Sequence, residues 1–226
     1  MTGIVDYNAG NIRSVELALQ SLGVSYRISK RPAELEGMDR VIFPGVGEAR
    51  FAMKELRSSG FDGFLRDWAA SGKPLLGVCL GSQIIFGHSE ENDTPCLGIV
   101  PGSVRRFPAD FRARSLKVPH MGWNDIRYRN GGSPIFDGVR EGSDFYFVHS
   151  YYVDPADPSV VSATANYGID FACAVKMGNV EAVQFHPEKS GSAGLAVLSN
   201  FCRADIANNA DIAGAGIAGA KGESRA

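Results

Sequence analysis

Cysteine is scarce here: 226 residues contain four, and no two of them make a CxxC pair. Cys79, Cys96, Cys173 and Cys202 therefore form neither a zinc knuckle nor the disulfide framework of a secreted scaffold. In a reducing compartment each is expected to be a free thiol. An excess of charge of one sign is missing too. Lys and Arg number 23 against 25 Asp and Glu, a net charge of −2, without the basic surplus that binding to nucleic acid or an anionic membrane needs. The densest basic group, Arg105, Arg106, Arg112, Arg114 and Lys117, reads as a solvated edge. No apolar run is long enough for a membrane span or a signal peptide, and the strand-like GIVDY begins at Gly3, so a cytoplasmic protein is expected.

What is present is an apolar fraction of 44%, enough for one large domain with its own core. Over the first half, short β-branched runs alternate with amphipathic stretches, which predicts an α/β fold around a mainly parallel sheet flanked by helices. The expected strands are GIVDY, VSYRIS (24–29), RVIFPGVG (40–47) and KPLLGVC (73–79). Helices are expected from Asn11, with Ile12, Val15, Leu19 and Leu22 on one face, and over residues 48–57 and 61–70, with another starting near Ser82. From Leu97 the texture changes to short strands and turns: GIV (98–100), SVRRF, WNDIRY, DFYFVHSYYV, VVSATANY, FACAVKMG and VEAVQFHPE. These read as antiparallel strands added to the same sheet, and a last helix is expected over residues 191–203. Residues 204–226, with 8 Ala and 4 Gly, are expected to be a low-complexity, disordered tail, leaving residues 1–203 as the domain.

At residues 76–83 the chain reads LGVCLGSQ, a buried strand turning into a helix with a glycine two residues to either side of Cys79. This is the thiol counterpart of a nucleophile elbow, with the sulfur near a helix N-terminus. Cysteine after a buried strand is also a common small core residue. A base is available in VEAVQFHPEKS, where His186 is followed two residues later by Glu188, a spacing that lets a carboxylate hold one ring nitrogen. HPE alone could equally be a turn with a surface acid. FPGVG (43–47) leaves a neighbouring strand and offers backbone amides for a developing oxyanion.

Taken together, GVCLGSQ, FPGVG and QFHPEKS, in this order, resemble the class I (triad-type) glutamine amidotransferases, from Thr2 to about Arg203. That resemblance implies a flavodoxin-like sheet, with Cys79 as nucleophile, His186 as base and then acid, and Glu188 as orienter. It assigns the oxyanion and L-glutamine site to Gly45, Val46, Gly47, Leu80 and Gln83, without metal or cofactor. Ser82 departs from the methionine usual in relatives, at a position expected to pack at the pocket mouth. Further segments, DYNAGNIRSVELAL, CLGIVPGSVRRFP, VPHMGWN, FYFVHSYYV and HPEKSGSAGLAVLSNF, resemble the branch of that family serving histidine biosynthesis. Members of that branch pass ammonia to a cyclase making imidazole glycerol phosphate and AICAR.

An acceptor barrel alone takes roughly 250 residues, so the acceptor is expected on a separate chain. The resemblance implies a (β/α)8-barrel cyclase held as a heterodimer. Asn11, Trp123, Tyr146 and Lys189 would border the docking face and the ammonia exit, with His120 and Asn124 near it and His149 supporting its wall. His88, in GHSEEND, is expected to be solvated, and Cys96, Cys173 and Cys202 to be small buried residues. Three other readings stay open: a glutaminase donor for another amidotransfer such as surface-sugar synthesis, a stand-alone cysteine hydrolase, and a scaffold that has lost its chemistry.

Overall fold

In the computed structural model, which describes residues 1–8 and 11–203, strand β1 (Thr2–Val5) is followed by helix α1 (Ile12–Ser21). The expected tail, 204–226, lies outside the described residues. Gly23, at φ +65, ends α1 in the left-handed conformation that a side chain would resist, and Val24 N–H donates to Leu19 O to close the last turn. Next come β2 (Tyr26–Ser29), β3 (Arg40–Gly45), α2 (Ala49–Ser59), α3 (Phe61–Ala70) and β4 (Leu75–Cys79). Gly60, at φ +78, both caps α2 and redirects the chain into α3. The next helix, α4 (Leu80–Ile84), starts immediately after the cysteine, not near Ser82 as the sequence suggested. The tight turn and the helix share residues, which leaves no connecting loop.

The remainder comprises β5 (His88–Ser89), β6 (Thr94–Pro95), β7 (Gly102–Arg106), β8 (His120–Asp125), β9 (Arg127–Tyr128), β10 (Asp144–His149) and β11 (Tyr151–Pro155). It ends with β12 (Val161–Asn166), β13 (Asp170–Met177), β14 (Val180–Val183) and α5 (Gly191–Arg203). Residues 98–100, expected as a strand, form none: the amides of Gly98, Ile99 and Val100 bond back to the carbonyls of Phe86 and Ile85 as a loop. DFYFVHSYYV is two strands broken at Ser150, because its halves join different sheets.

The main sheet runs β2-β1-β3-β4-β14-β13-β11-β7-β5-β6, with β12 and β9 attached beside β13. Pairing is parallel from β2 to β14 and antiparallel from β14 to β13 and on to β7. Both faces of β1, β3, β4 and β14 are covered, so these strands are mostly apolar, whereas the edge strand β2 is half exposed. Val5, Val41, Phe43 and Leu75 face α2 and α3 in one core, with Leu56, Phe61, Leu65 and Trp68. Ile4, Ile42, Leu76 and Val78 face α1 and α5 in the other, with Val15, Leu19, Val197, Leu198 and Phe201. Neighbouring strand residues alternate between these cores, as the two-residue period of a strand requires.

β8 and β10 form a separate two-stranded antiparallel ribbon, with Trp123 opposite Tyr146 and His120 opposite His149. Arg105, Arg106, Arg114 and Lys117 are exposed, and Arg105 pairs with Asp154 at 2.5 Å. No helix among the described residues is long and apolar enough to cross a membrane.

Candidate active site

The parallel strands deliver Cys79 to their carboxyl edge. Its backbone lies at φ +55, ψ −112, a conformation that a non-glycine residue holds only when its surroundings over-determine it. The flanking glycines do so by close approach. A Cβ on Gly81 would lie 2.0 Å from Phe43 O, and one on Gly77 would be 3.1 Å from backbone atoms of Gly81 and Ser82. A Cβ on Gly45 would come within 2.7 Å of Gly81 N and the Tyr7 hydroxyl. Ser82 is not at a pocket mouth as expected: it is 2% exposed, and its hydroxyl donates to the carbonyl of Cys79 at 2.6 Å. Serine at this position thus secures the elbow from inside.

β14 pairs with β4 and ends at Val183, three residues before the histidine, whereas the sequence suggested a strand running to His186. His186 and Glu188 meet through a short 3-10 turn, Pro187–Lys189, which replaces the extended backbone expected from their spacing. His186 Nδ1 is 2.8 Å from Glu188 Oε1, both side chains being almost fully buried. Burial disfavours the charged ring, but the adjoining Cys79 and Glu188 outweigh it and hold the imidazole above the usual histidine range. Nε2 has no partner at ordinary hydrogen-bond distance. The Cys79 sulfur itself lies 3.9 Å from Val148 O and from Gln184 Nε2.

Cys79 and His186 line one cavity of about 290 Å³, together with Val46, Gly47, Leu80, Gln83, Glu91, Pro119, Val148, His149, Ser150 and Tyr151. That size suits a small molecule. Gly47 sits at φ +95, and Val46 is half-exposed at the rim. The arrangement can carry out attack by a thiolate on a carbonyl, with a proton carrier beside it and backbone amides near the reacting centre.

Three residues escaped the sequence reading. Glu91 reaches the cavity from the turn between β5 and β6, in a polar stretch that reads as solvated; burial raises its carboxyl pKa, and Oε2 accepts the Ala49 N–H at 2.7 Å. Tyr7 is buried under the elbow with its hydroxyl unpaired, and burial, reinforced by the charge of Cys79, keeps the phenol protonated. Gln184 lies inside the HPE-bearing segment but gives no signal of its own, since glutamine there is equally a strand residue.

The residues expected at a docking face are only partly gathered. Trp123 is 58% exposed, and its ring meets Tyr146 edge-to-face at 6.0 Å. Lys189 Nζ lies 6.0 Å from the Tyr146 ring centre. Asn11 caps α1 and is half-buried, with no described contact to that cluster. His88 is partly exposed and paired with Asp93, Cys96 and Cys173 are buried, and Cys202 is only half-buried beside Thr2. Among the described residues no group of three or more His, Cys, Asp or Glu side chains is placed to hold a metal ion.

Known proteins resemble this chain in sequence and in fold. The family model for class-I glutamine amidotransferases matches residues 3–204. A protein of Thiobacillus denitrificans named imidazole glycerol phosphate synthase subunit HisH is 44% identical, over 95% of this chain and 97% of that one. The chain belongs to the HisH family of class-I glutamine amidotransferases. Another HisH subunit, from Nitratidesulfovibrio vulgaris, is 49% identical over 89% of this chain and 95% of its own. Among solved structures, one described as a glutamine amidotransferase superposes with a TM-score of 0.68 at 22% identity, covering 88% of this chain and 98% of that chain. That likeness is one of fold.

Proposed function

We propose that this chain is the glutaminase subunit of an imidazole glycerol phosphate synthase, hydrolysing L-glutamine to glutamate and ammonia for histidine biosynthesis. The observation that carries the reading is the convergence of Cys79 and the His186–Glu188 pair on one small cavity. Cys79 attacks the side-chain carboxamide as a thiolate. His186 gives its proton to the departing ammonia, and Glu188 holds the ring in register. Leu80 N–H and the amides of residues 45–47 receive the oxyanion. Water, activated by His186 acting now as base, then cleaves the glutamyl thioester. Gln83 and Glu91 line the pocket where the amino-acid end of glutamine would be held, Glu91 offering a carboxylate to an ammonium group. A cavity this small favours a single amino acid over a polypeptide, which speaks against a peptidase.

Ammonia released into neutral water is protonated and ceases to be a nucleophile. The reading therefore includes a cytoplasmic heterodimer with a (β/α)8-barrel cyclase docked around Asn11, Trp123, Tyr146 and Lys189. The decisive experiment uses Cys79→Ala in complex with that cyclase. Glutamine-dependent turnover should vanish, while turnover with free ammonia at high pH persists. Continued glutamate release by Cys79→Ala would overturn the assignment.

A further inference from the structure

A buried polar path runs from β8 to the Cys79 sulfur, and its acceptors fix the proton on each ring. His149 Nδ1 lies 2.8 Å from Tyr151 O. A carbonyl only accepts, so Nδ1 carries the hydrogen and Nε2 of the neutral ring holds a lone pair. His120 Nδ1, 3.0 Å from that Nε2, must then be the donor. This leaves His120 Nε2 as an acceptor, and Asn124 Nδ2 stands 3.4 Å away, its amide oriented by a 2.9 Å bond to Asn166 O. Tyr151 O also receives Gln83 Nε2 at 3.0 Å, and the same nitrogen donates to Gln184 Oε1 at 2.9 Å. With its oxygen so engaged, Gln184 turns Nε2 toward the sulfur, at 3.9 Å.

The rings have little freedom to do otherwise. His120 is stacked between Tyr167 at 4.0 Å and Phe147 at 5.0 Å, and His149 packs 5.1 Å from Phe107. Burial lowers the pKa of His120 to about 4 and of His149 to about 3, consistent with two neutral rings at neutral pH.

We propose that Gln184 is a further catalytic residue, donating an N–H to the Cys79 thiolate, and that His120 and His149 are positioning residues acting through Tyr151 O and Gln83. Were the Gln184 amide reversed, its carbonyl oxygen would face the anionic sulfur. The path prevents that reversal, because Gln83 can offer Gln184 only a donor. The proposal rests on Cys79 being the nucleophile.

The test uses the full chain with ¹⁵N-labelled histidine and long-range ¹H–¹⁵N correlation at pH 7. Both His120 and His149 should appear as the Nδ1–H tautomer, the minor form of free neutral histidine. In parallel, alkylation of Cys79 by iodoacetamide is followed by peptide mass. Loss of one hydrogen bond to a charged group predicts about tenfold or more slowing in Gln184→Leu, and His149→Phe, which removes a donor from Tyr151 O, should slow alkylation in the same direction. His149→Asn, which keeps a nitrogen donor near the Nδ1 position, should recover most of the rate. Either ring found as Nε2–H or as imidazolium, or folded Gln184→Leu alkylated within twofold of wild type, overturns the proposal. The tautomer measurement needs no variant to fold. Neither readout involves glutamine or a partner, so a wild-type chain lacking glutaminase activity would count against the functional reading and not against the hydrogen-bond path.

Discussion

His186 N–H donates to Tyr146 O at 2.9 Å, so the turn carrying the imidazole is stitched to β10. The stitch is doubled: Tyr146 N–H donates to Ser190 Oγ at 3.0 Å, and the Ser190 hydroxyl donates to His186 O at 2.6 Å. Across the ribbon Tyr146 is paired with Trp123, whose indole stands in solvent. A chain docked on Trp123 would therefore press on a strand two hydrogen bonds from the base.

Trp123→Ala should weaken cyclase binding by about 2 kcal/mol, the cost typical of an aromatic anchor at an interface centre. Glutamine hydrolysis by the isolated chain should be unchanged. Titration calorimetry with a cyclase barrel checks the first expectation, and unaltered affinity would remove Trp123 from the docking face.

Glu188→Gln preserves shape while removing the carboxylate that favours the imidazolium. His186 is held above its ordinary range partly by that carboxylate, so the substitution lowers its proton affinity. Where the imidazolium serves as acid toward the leaving ammonia, the alkaline limb of kcat should move to lower pH, and kcat should fall roughly 10²-fold or more. A pH–rate profile of the complex measures both. An unmoved limb would mean that Glu188 does not set the ring.

Gly81→Ala forces a Cβ against Phe43 O, where backbone rather than a pliable side chain must give way. Urea unfolding should show a loss of about 3 kcal/mol, at the upper end for overpacking, together with lost alkylation of a displaced Cys79. Gly47→Ala makes a contrast. A Cβ there meets nothing within 4 Å, so its only cost is the strain of φ +95.

Acid stability should follow the two buried histidines. Both have folded pKa values depressed by burial, so an unfolded chain takes up their protons first as the pH falls. Their stabilising contribution is complete above about pH 6.5, the unfolded value, and declines as pH drops toward about 4 and about 3, with up to about two protons taken up on unfolding. Denaturant midpoints across pH 7 to 4 should fall less steeply in folded His149→Asn than in wild type. An identical slope would show that His149 takes up its proton equally in folded and unfolded chains, so that burial does not depress its pKa.

The parallel half of the fold was legible because burial on both strand faces writes continuous apolar runs, and Phe61–Ala70 and Gly191–Arg203 form the helices expected of them. The second half was less so. DFYFVHSYYV carries one uninterrupted β pattern, and nothing local says that its halves pair with β8 and with β7 respectively. At the site, the glycines around Cys79 announced a turn through their spacing alone. Glu91 and Tyr7 announced nothing, since their place at the cavity and under the elbow comes from strands distant in sequence. Ser82 was misread because its role depends on which way its hydroxyl points, toward the Cys79 carbonyl.

The pairing of β4 with β14 has a consequence for biosynthesis. Cys79 and Gln184 lie 105 residues apart, and the parallel register joining Val78 to Val183 forms only once the intervening chain is ordered. Contacts of such long sequence separation are slow to close. On the ribosome, the thiol emerges long before the imidazole that would activate it. On the proposed chemistry, a nascent chain stalled before β14 would carry the nucleophile without its base, and would not hydrolyse glutamine while its synthesis is incomplete.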